Sequence, residues 1–126
     1  MTVDQSSFCP RFLLAVELVG RRWTGSILRT LLRGPARYHE IRSAIPDLSD
    51  RMLSERLREL EAEGIVTRSV IPETPVRVEY RLTEKGRSLE TAIIAIAEWA
   101  EKWLPAQVEA PVGDKQDKKD KEDALS

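Results

Sequence analysis

The chain of 126 residues contains one cysteine and one histidine, which excludes an internal disulfide and a Cys/His metal cluster within one chain. No apolar run is long enough to span a bilayer, and residues 1–7 lack the pattern of a signal peptide. The sequence has no glycine-rich phosphate loop, and a lone His39 cannot complete a Ser/His/Asp or Cys/His catalytic set. We therefore predict a cytoplasmic protein that is not an enzyme and that uses no metal, cofactor or membrane.

Net charge is also small, at −1. Residues 106–126 hold six acids and four lysines, so residues 1–105 carry 16 basic and 15 acidic side chains. Any affinity for DNA must come from where the arginines lie, because the bulk charge is near neutral. Residues 114–123 include no apolar side chain and cannot build a core. We expect an N-terminal arm over 1–8, one domain over 9–105 and a disordered charged tail over 106–126.

Apolar residues at helical spacing predict four helices in the first half of the chain. The predicted helices begin at Pro10, near Trp23, at Tyr38 and after the N-cap Ser49, and they end at Gly20, Gly34, Ala44 and Gly64. In the fourth helix, Leu53, Leu57 and Leu60 form one buried stripe. A short helix, a tight turn over 46–48 and a longer capped helix are typical of a helix-turn-helix.

Alternation replaces helical periodicity after the fourth helix. Residues 66–70 and 76–82 predict two strands joined by a loop over 72–75, which together make a β-hairpin. Thr83 is the expected cap of a last helix over 84–104, whose apolar stripe is too long for a four-helix body to cover. We therefore predict a mainly α fold with a small β-hairpin, a winged helix-turn-helix, whose last helix forms a dimer seam.

The fourth helix presents a polar face opposite its leucines, because helical geometry fixes which side chains point outward. That face carries Arg51, Ser54, Glu55 and Arg58. Arginine can bond both major-groove acceptors of guanine, and serine can bond bases or phosphates. Glu55 can accept from the amino group of cytosine, or it can pair with a neighbouring arginine along the helix.

Further candidates flank this helix. Ser49 at the helix N-terminus can offer its hydroxyl and backbone N–H to a phosphate. Arg77 is the first candidate on the hairpin, with Arg68 and Arg81 behind it. Two other arginines, Arg42 and Arg56, fit better as partners of nearby acids than as base readers.

A charged helix face is by itself more often merely solvated than functional. The adjoining turn and basic hairpin are what favour double-stranded DNA as the partner. His39 fits first as a surface or capping group. The alternative that remains open is a winged helix that contacts another protein and has no DNA partner.

Several motifs occur in a fixed order along residues 9–104. They include Cys9-Pro10, Gly20-Arg-Arg-Trp23-Thr24, Tyr38-His39-Glu40-Ile41, Ser49-Asp-Arg-Met52-Leu53 and Pro75-Val76-Arg77-Val78-Glu79-Tyr80. By these motifs the sequence resembles the HxlR family of winged-helix regulators, which are relatives of the MarR group.

The resemblance implies a homodimeric transcription factor that binds a pseudo-palindromic operator. It also implies a recognition helix over 49–63, a wing over 68–81 and an interface formed by the terminal helices. The interface residues that we expect are Phe12, Leu89, Ile93, Ile96, Ala100 and Trp103.

Cys9 is predicted at the N-cap of the first helix, where the helix dipole and Arg11 favour a thiolate. Several HxlR-type regulators are similar in having an N-terminal cysteine that senses oxidants or electrophiles. Cys9 is therefore a candidate sensor, oxidised alone or bridged to the partner's Cys9. The alternative is a small apolar residue that packs near the interface. A small-molecule pocket beside the last helix would also fit, but the sequence identifies no effector.

Overall fold

The computed structural model describes residues 9–106. The predicted arm over 1–8 and, beyond Ala106, the predicted charged tail lie outside the described residues. The described chain has six helices and one two-stranded antiparallel sheet. They are, in order, α1 (Pro10–Val19), α2 (Thr24–Leu32), α3 (Tyr38–Ala44), α4 (Asp50–Ala62), β1 (Val66–Ile71), β2 (Arg77–Leu82), α5 (Glu84–Arg87) and α6 (Glu90–Trp103). The predicted mainly α fold with a β-hairpin is thus confirmed. Over residues 9–106, none of the helices combines the length and apolar character required to cross a membrane.

The core is built from one face of each of the helices α2, α3 and α4. The predicted leucine stripe of α4 is confirmed, since Leu53, Leu57 and Leu60 are all buried. The buried apolar residues that meet this stripe from other elements include Ile27, Leu28, Leu31, Ile41, Leu48, Ile65, Val66, Leu82 and Ile93. Burying this stripe leaves the opposite side of α4 in solvent, which positions the candidate site.

The hairpin forms as predicted, but burial does not alternate along its strands: Val70 of β1 is 55% exposed, and the first four residues of β2 are all half-buried. The strands β1 and β2 pair from Val66 opposite Leu82 to Ile71 opposite Arg77. Ala36 adds a short bridge to the outer edge of β2, since its backbone N–H and C=O both bond the backbone of Tyr80, at 2.9 and 2.8 Å. The segment before α3 is therefore attached to the hairpin, which holds the hairpin beside the helix-turn-helix.

The last helix differs from its prediction as one continuous element over 84–104. A turn at Ser88 and Leu89 separates α5 from α6. There the N–H of Leu89 bonds the carbonyl of Gly86 at 3.1 Å, one residue nearer than in an α-helix, and the Ser88 hydroxyl bonds the carbonyl of Lys85 at 2.6 Å. Gly86 is buried so closely against Ile65 that a Cβ would lie 2.2 Å from its carbonyl oxygen. The tight turn at Ser88 and Leu89 thus follows directly after the point where α5 lies closest to the start of the hairpin.

Candidate nucleic-acid interface

The N-terminus of α4 is capped by the predicted residue. The hydroxyl of Ser49 accepts a hydrogen bond from the backbone N–H of Met52 at 3.1 Å, and only 7% of Ser49 is exposed. Capping satisfies one of the free N–H groups of the first turn. The hydroxyl accepts this bond and keeps its own O–H as a donor, so the contact of Ser49 with a phosphate stays a prediction, with little of the side chain exposed to make it.

The turn between α3 and α4 is held by a polar network. Arg42 bonds the carbonyl of Leu48, and its Nε donates to Oδ1 of Asp50 at 2.7 Å. The predicted pairing of Arg42 with a nearby acid is confirmed. The hydroxyl of Tyr38 donates to the backbone carbonyl of Asp50 at 2.9 Å and lies 3.1 Å from the hydroxyl of Ser54. These contacts set the angle at which α4 leaves the turn.

Tyr38 was not among the predicted site residues. The sequence pointed to it only in part: Tyr38 is the first residue of α3, the helix that the turn connects to the capped helix α4. The structure makes Ser54, a predicted DNA contact, a half-buried residue on the flank of α4 that Tyr38 holds in place.

The outward face of α4 carries three of the predicted contact residues. Arg51, Glu55 and Arg58 are all exposed. The side chain of Arg58 forms no hydrogen bond or ion pair with any other described residue. A helix of this diameter enters the DNA major groove, about 12 Å wide, and exposed arginines on its outer face can reach base edges there. The arrangement can therefore present two guanidinium groups and one carboxylate to a duplex.

The arginines of the hairpin differ in how far they are neutralised. Arg77, the first candidate, is ion-paired through Nη2 to Glu73 at 3.2 Å and through Nε to Glu79 at 3.5 Å. Arg81 shares Glu79, at 3.5 Å. Arg68 lies on the other face of the hairpin, is exposed, and has no acidic partner among residues 9–106. Arg68 is thus more open to a phosphate than Arg77.

A second surface lies on α1 and α6 and is strongly apolar. Phe12, Ile96 and Trp103 are 59%, 58% and 63% exposed. Trp99 is equally exposed and was missed by the sequence analysis, although it precedes Trp103 by one helical turn. Between α1, α2 and α6 runs an apolar groove of about 670 Å³, whose lining includes one charged side chain, Arg29.

Two of the predicted interface residues line the same groove but are less exposed. Ile93 is only 4% exposed and belongs to the core of the chain itself, and Leu89 is half-buried against that core. Helical spacing alone does not separate them from interface residues, because the buried apolar side chains of α6 lie next to its exposed ones along the same helix. Little of the surface of Ile93 is therefore left for a partner, and its place in an interface stays a prediction.

Cys9 is the N-cap residue of α1, as predicted. Its thiol has a lowered pKa, because the backbone amides of Phe12 and Arg11 favour the thiolate more than burial disfavours it, and the Arg11 side chain adds to the effect. A thiolate is the reactive form of cysteine towards oxidants and electrophiles. The position can therefore support thiol chemistry at the end of the apolar face.

Comparison with known proteins gives a consistent result. Residues 18–108 match the HxlR-like helix-turn-helix family. The chain is 52% identical to the HTH-type transcriptional regulator YvaP of Bacillus subtilis (strain 168), over 81% of this chain and 94% of YvaP. It is 46% identical to YodB of the same organism, an HTH-type transcriptional regulator, over 78% of this chain and 88% of YodB.

Solved structures agree with the sequence matches. The reduced form of YodB superposes with a TM-score of 0.71 at 44% identity, covering 80% of this chain and 99% of YodB. The redox regulator HypR in its oxidised form gives a TM-score of 0.72 at 39% identity, covering 79% of this chain and all of HypR. YvaP and YodB are thus named as HTH-type transcriptional regulators and HypR as a redox regulator, and none of them is named as an enzyme. The chain therefore belongs to the HxlR-like helix-turn-helix family of transcriptional regulators.

Proposed function

We propose that this chain acts in the cytoplasm as a homodimer that binds a pseudo-palindromic DNA operator. In this arrangement α4 enters the major groove and the hairpin lies against the adjacent backbone. The observation that carries the proposal is the outward face of α4, where Arg51 and Arg58 are exposed while the leucines behind them are buried. Bonds from α3 hold that face at a set angle.

The exposed apolar side chains of α1 and α6 support the homodimer. Isolated exposed apolar residues are ordinary, but a continuous apolar surface on two neighbouring helices is typical of a protein interface. A two-fold axis through this surface would bury the same residues of both copies. The resulting pair of α4 helices would match two half-sites about one turn of DNA apart.

Thiol chemistry at Cys9 is the proposed input signal. YodB has been solved in reduced, diamide-treated and quinone-bound forms, and HypR is a redox regulator solved in reduced and oxidised forms. The lowered pKa of Cys9 and its place at the start of α1 support a similar sensitivity here. Modification of Cys9 would then change DNA affinity through the helix that it caps.

The test is sequence selection followed by salt titration. A duplex selected from a random pool by the full chain should bind with an affinity that falls steeply as salt rises. Arg58→Ala should lose about 1–3 kcal/mol of discrimination against a mismatched duplex, as expected for a bidentate base contact. The matched control is Arg87→Ala, an exposed arginine on α5, which should keep it.

Absence of any selected sequence would favour the alternative, in which the winged helix contacts only protein. Equal discrimination by Arg58→Ala and the control would contradict the proposed docking of α4.

A further inference from the structure

An arginine on the flank of α4 connects that helix to the segment between α1 and α2. The side chain of Arg56 is only 11% exposed. Its Nε donates to the backbone carbonyl of Arg22 at 2.9 Å, and its Nη1 lies 3.2 and 3.3 Å from the two carboxylate oxygens of Glu59. The prediction that Arg56 pairs with a nearby acid is confirmed, and the same guanidinium also holds a distant piece of backbone.

Glu59 is shared between two arginines. Besides Arg56, its Oε2 accepts from Nη1 of Arg21 at 2.5 Å. One carboxylate thus joins α4 to the connection over 20–23, which follows directly from α1. Charge-assisted bonds of this kind are stronger than neutral ones, and the planar guanidinium restricts their direction. We name Arg21, Arg56 and Glu59 the flank cluster.

The backbone that the flank cluster holds has an unusual conformation. Trp23 has a φ of +76°, in the left-handed region that residues other than glycine rarely adopt. A residue keeps such a conformation only when its surroundings hold it there. The bond from Arg56 to the carbonyl of Arg22, the preceding residue, is one such contact.

The flank cluster does not face the candidate DNA surface. At about 100° per residue, Glu59 lies about 100° around α4 from Arg58, and Arg56 lies about 160° from it. The cluster is therefore on a side of α4 that faces the connection between α1 and α2, whereas Tyr38 holds the helix from α3. Two independent sets of bonds thus set the orientation of α4.

We propose that Arg56 and Glu59 are positioning residues that fix α4 relative to α1, and so set the distance between the two recognition helices of the homodimer. This inference rests on the proposed function, since α1 carries part of the surface assigned to the dimer. The path is short, because α1 ends at Val19 and Arg21 lies two residues later. A change in how the two α1 helices pack would be passed through the flank cluster to α4.

The experiment compares Glu59→Gln with a matched control, Glu61→Gln. Both remove one negative charge from α4, and Glu61 has no ion-pair partner in the part of the chain that the structure describes. The probes are the duplex that the wild-type chain selects from a random pool and the same duplex with one base pair inserted between its half-sites. Affinity for each is measured over a range of salt concentrations.

For the wild-type chain and Glu61→Gln, the insertion should cost about tenfold or more in affinity, because the half-sites no longer match the helices. For Glu59→Gln, the selected duplex should bind about tenfold more weakly than it does to the control, the size of one lost charged hydrogen bond. The penalty for the insertion should shrink in the same variant. The slope of affinity against salt should match that of the control, since no phosphate contact is removed. Glu59→Asp, which keeps the carboxylate, should restore part of the spacing preference.

An insertion penalty in Glu59→Gln equal to that of the control would overturn the inference while leaving the proposed function intact. Failure of the wild-type chain to select any duplex would overturn both. If circular dichroism shows that Glu59→Gln does not fold, Arg21→Ala takes its place. It removes the ion pair between Arg21, which is half exposed, and Glu59, and its insertion penalty should shrink in the same way.

Discussion

The hydroxyl of Tyr38 in α3 lies 3.1 Å from the hydroxyl of Ser54 in α4. The same tyrosine hydroxyl also donates to the backbone carbonyl of Asp50 at 2.9 Å. A side chain of α3 therefore holds both the first turn of α4 and one of its candidate contact residues. The orientation of Ser54 depends on this contact as much as on its own position in α4.

Tyr38→Phe should remove these bonds and leave the packing of the ring in place. We expect a loss of about 1 kcal/mol in the free energy of unfolding, the usual net value of a hydrogen bond, measured by urea titration. Discrimination between the selected duplex and mismatched ones should also fall. Tyr80→Phe is the matched control, because the Tyr80 hydroxyl has no hydrogen-bond partner within residues 9–106. Equal effects of the two substitutions would show that the bond to Ser54 has no special role.

Arg77 on the hairpin should become a stronger phosphate ligand when it is released from Glu73. Glu73→Gln removes the partner at 3.2 Å and leaves only the longer pair with Glu79. We expect DNA affinity to rise similarly for all sequences, with the salt slope steeper by up to about one. Filter binding at several salt concentrations measures this. Glu98→Gln, an exposed acid on α6, serves as the control for net charge. A response of Glu73→Gln no larger than that of Glu98→Gln would mean that Arg77 does not contact DNA.

Ile96→Glu should prevent dimerisation without unfolding the chain. Ile96 is 58% exposed and contributes little to the core of the chain, so the variant should still fold. A carboxylate buried at a dimer interface, however, carries a large desolvation cost. Light scattering should give twice 14.3 kDa for the wild-type chain and 14.3 kDa for the variant. Thr91→Glu, which places the same charge about 140° away around α6, should remain dimeric. A dimeric Ile96→Glu would place the interface elsewhere.

Cys9 should react with iodoacetamide at a lower pH than an ordinary cysteine. Its pKa is lowered by the backbone amides of Phe12 and Arg11, so the thiolate forms earlier as the pH rises. The pH at which the alkylation rate reaches half of its plateau should therefore be lower for Cys9 than for the cysteine of an unstructured peptide measured alongside. Mass spectrometry against time at each pH gives the rate, and Cys9→Ser supplies the blank. A midpoint at or above that of a free cysteine would remove the physical basis for sensing at this position.

Local patterns explain why much of the fold could be predicted. Ser49 was recognised as a cap because capping needs only residues within the same turn. The inward stripe of Leu53, Leu57 and Leu60 follows from helical periodicity, and β1 and β2 were recognised from the change to alternating apolar and polar residues along the chain. None of these depends on which distant residue lies opposite.

Predictions were wrong or incomplete where a distant residue decided the outcome. The break after α5 accompanies the contact of Gly86 with the carbonyl of Ile65, 21 positions earlier, while the apolar spacing runs on through the turn. Ile93 has the periodicity of an interface residue, yet periodicity cannot say whether the same chain or a partner covers a face.

The sequence by itself therefore determined the order of the helices and strands and the side of α4 that faces the core. The opposite side of the helix, which carries Arg51 and Arg58, follows from the same periodicity. Only the tertiary structure decided which of the charged groups remain available. It pairs Arg77 with two glutamates, joins Arg21, Glu59 and Arg56, and leaves Arg58 exposed. The physical reason is that periodicity acts along the chain over a few residues, whereas an ion pair depends on a distance in space.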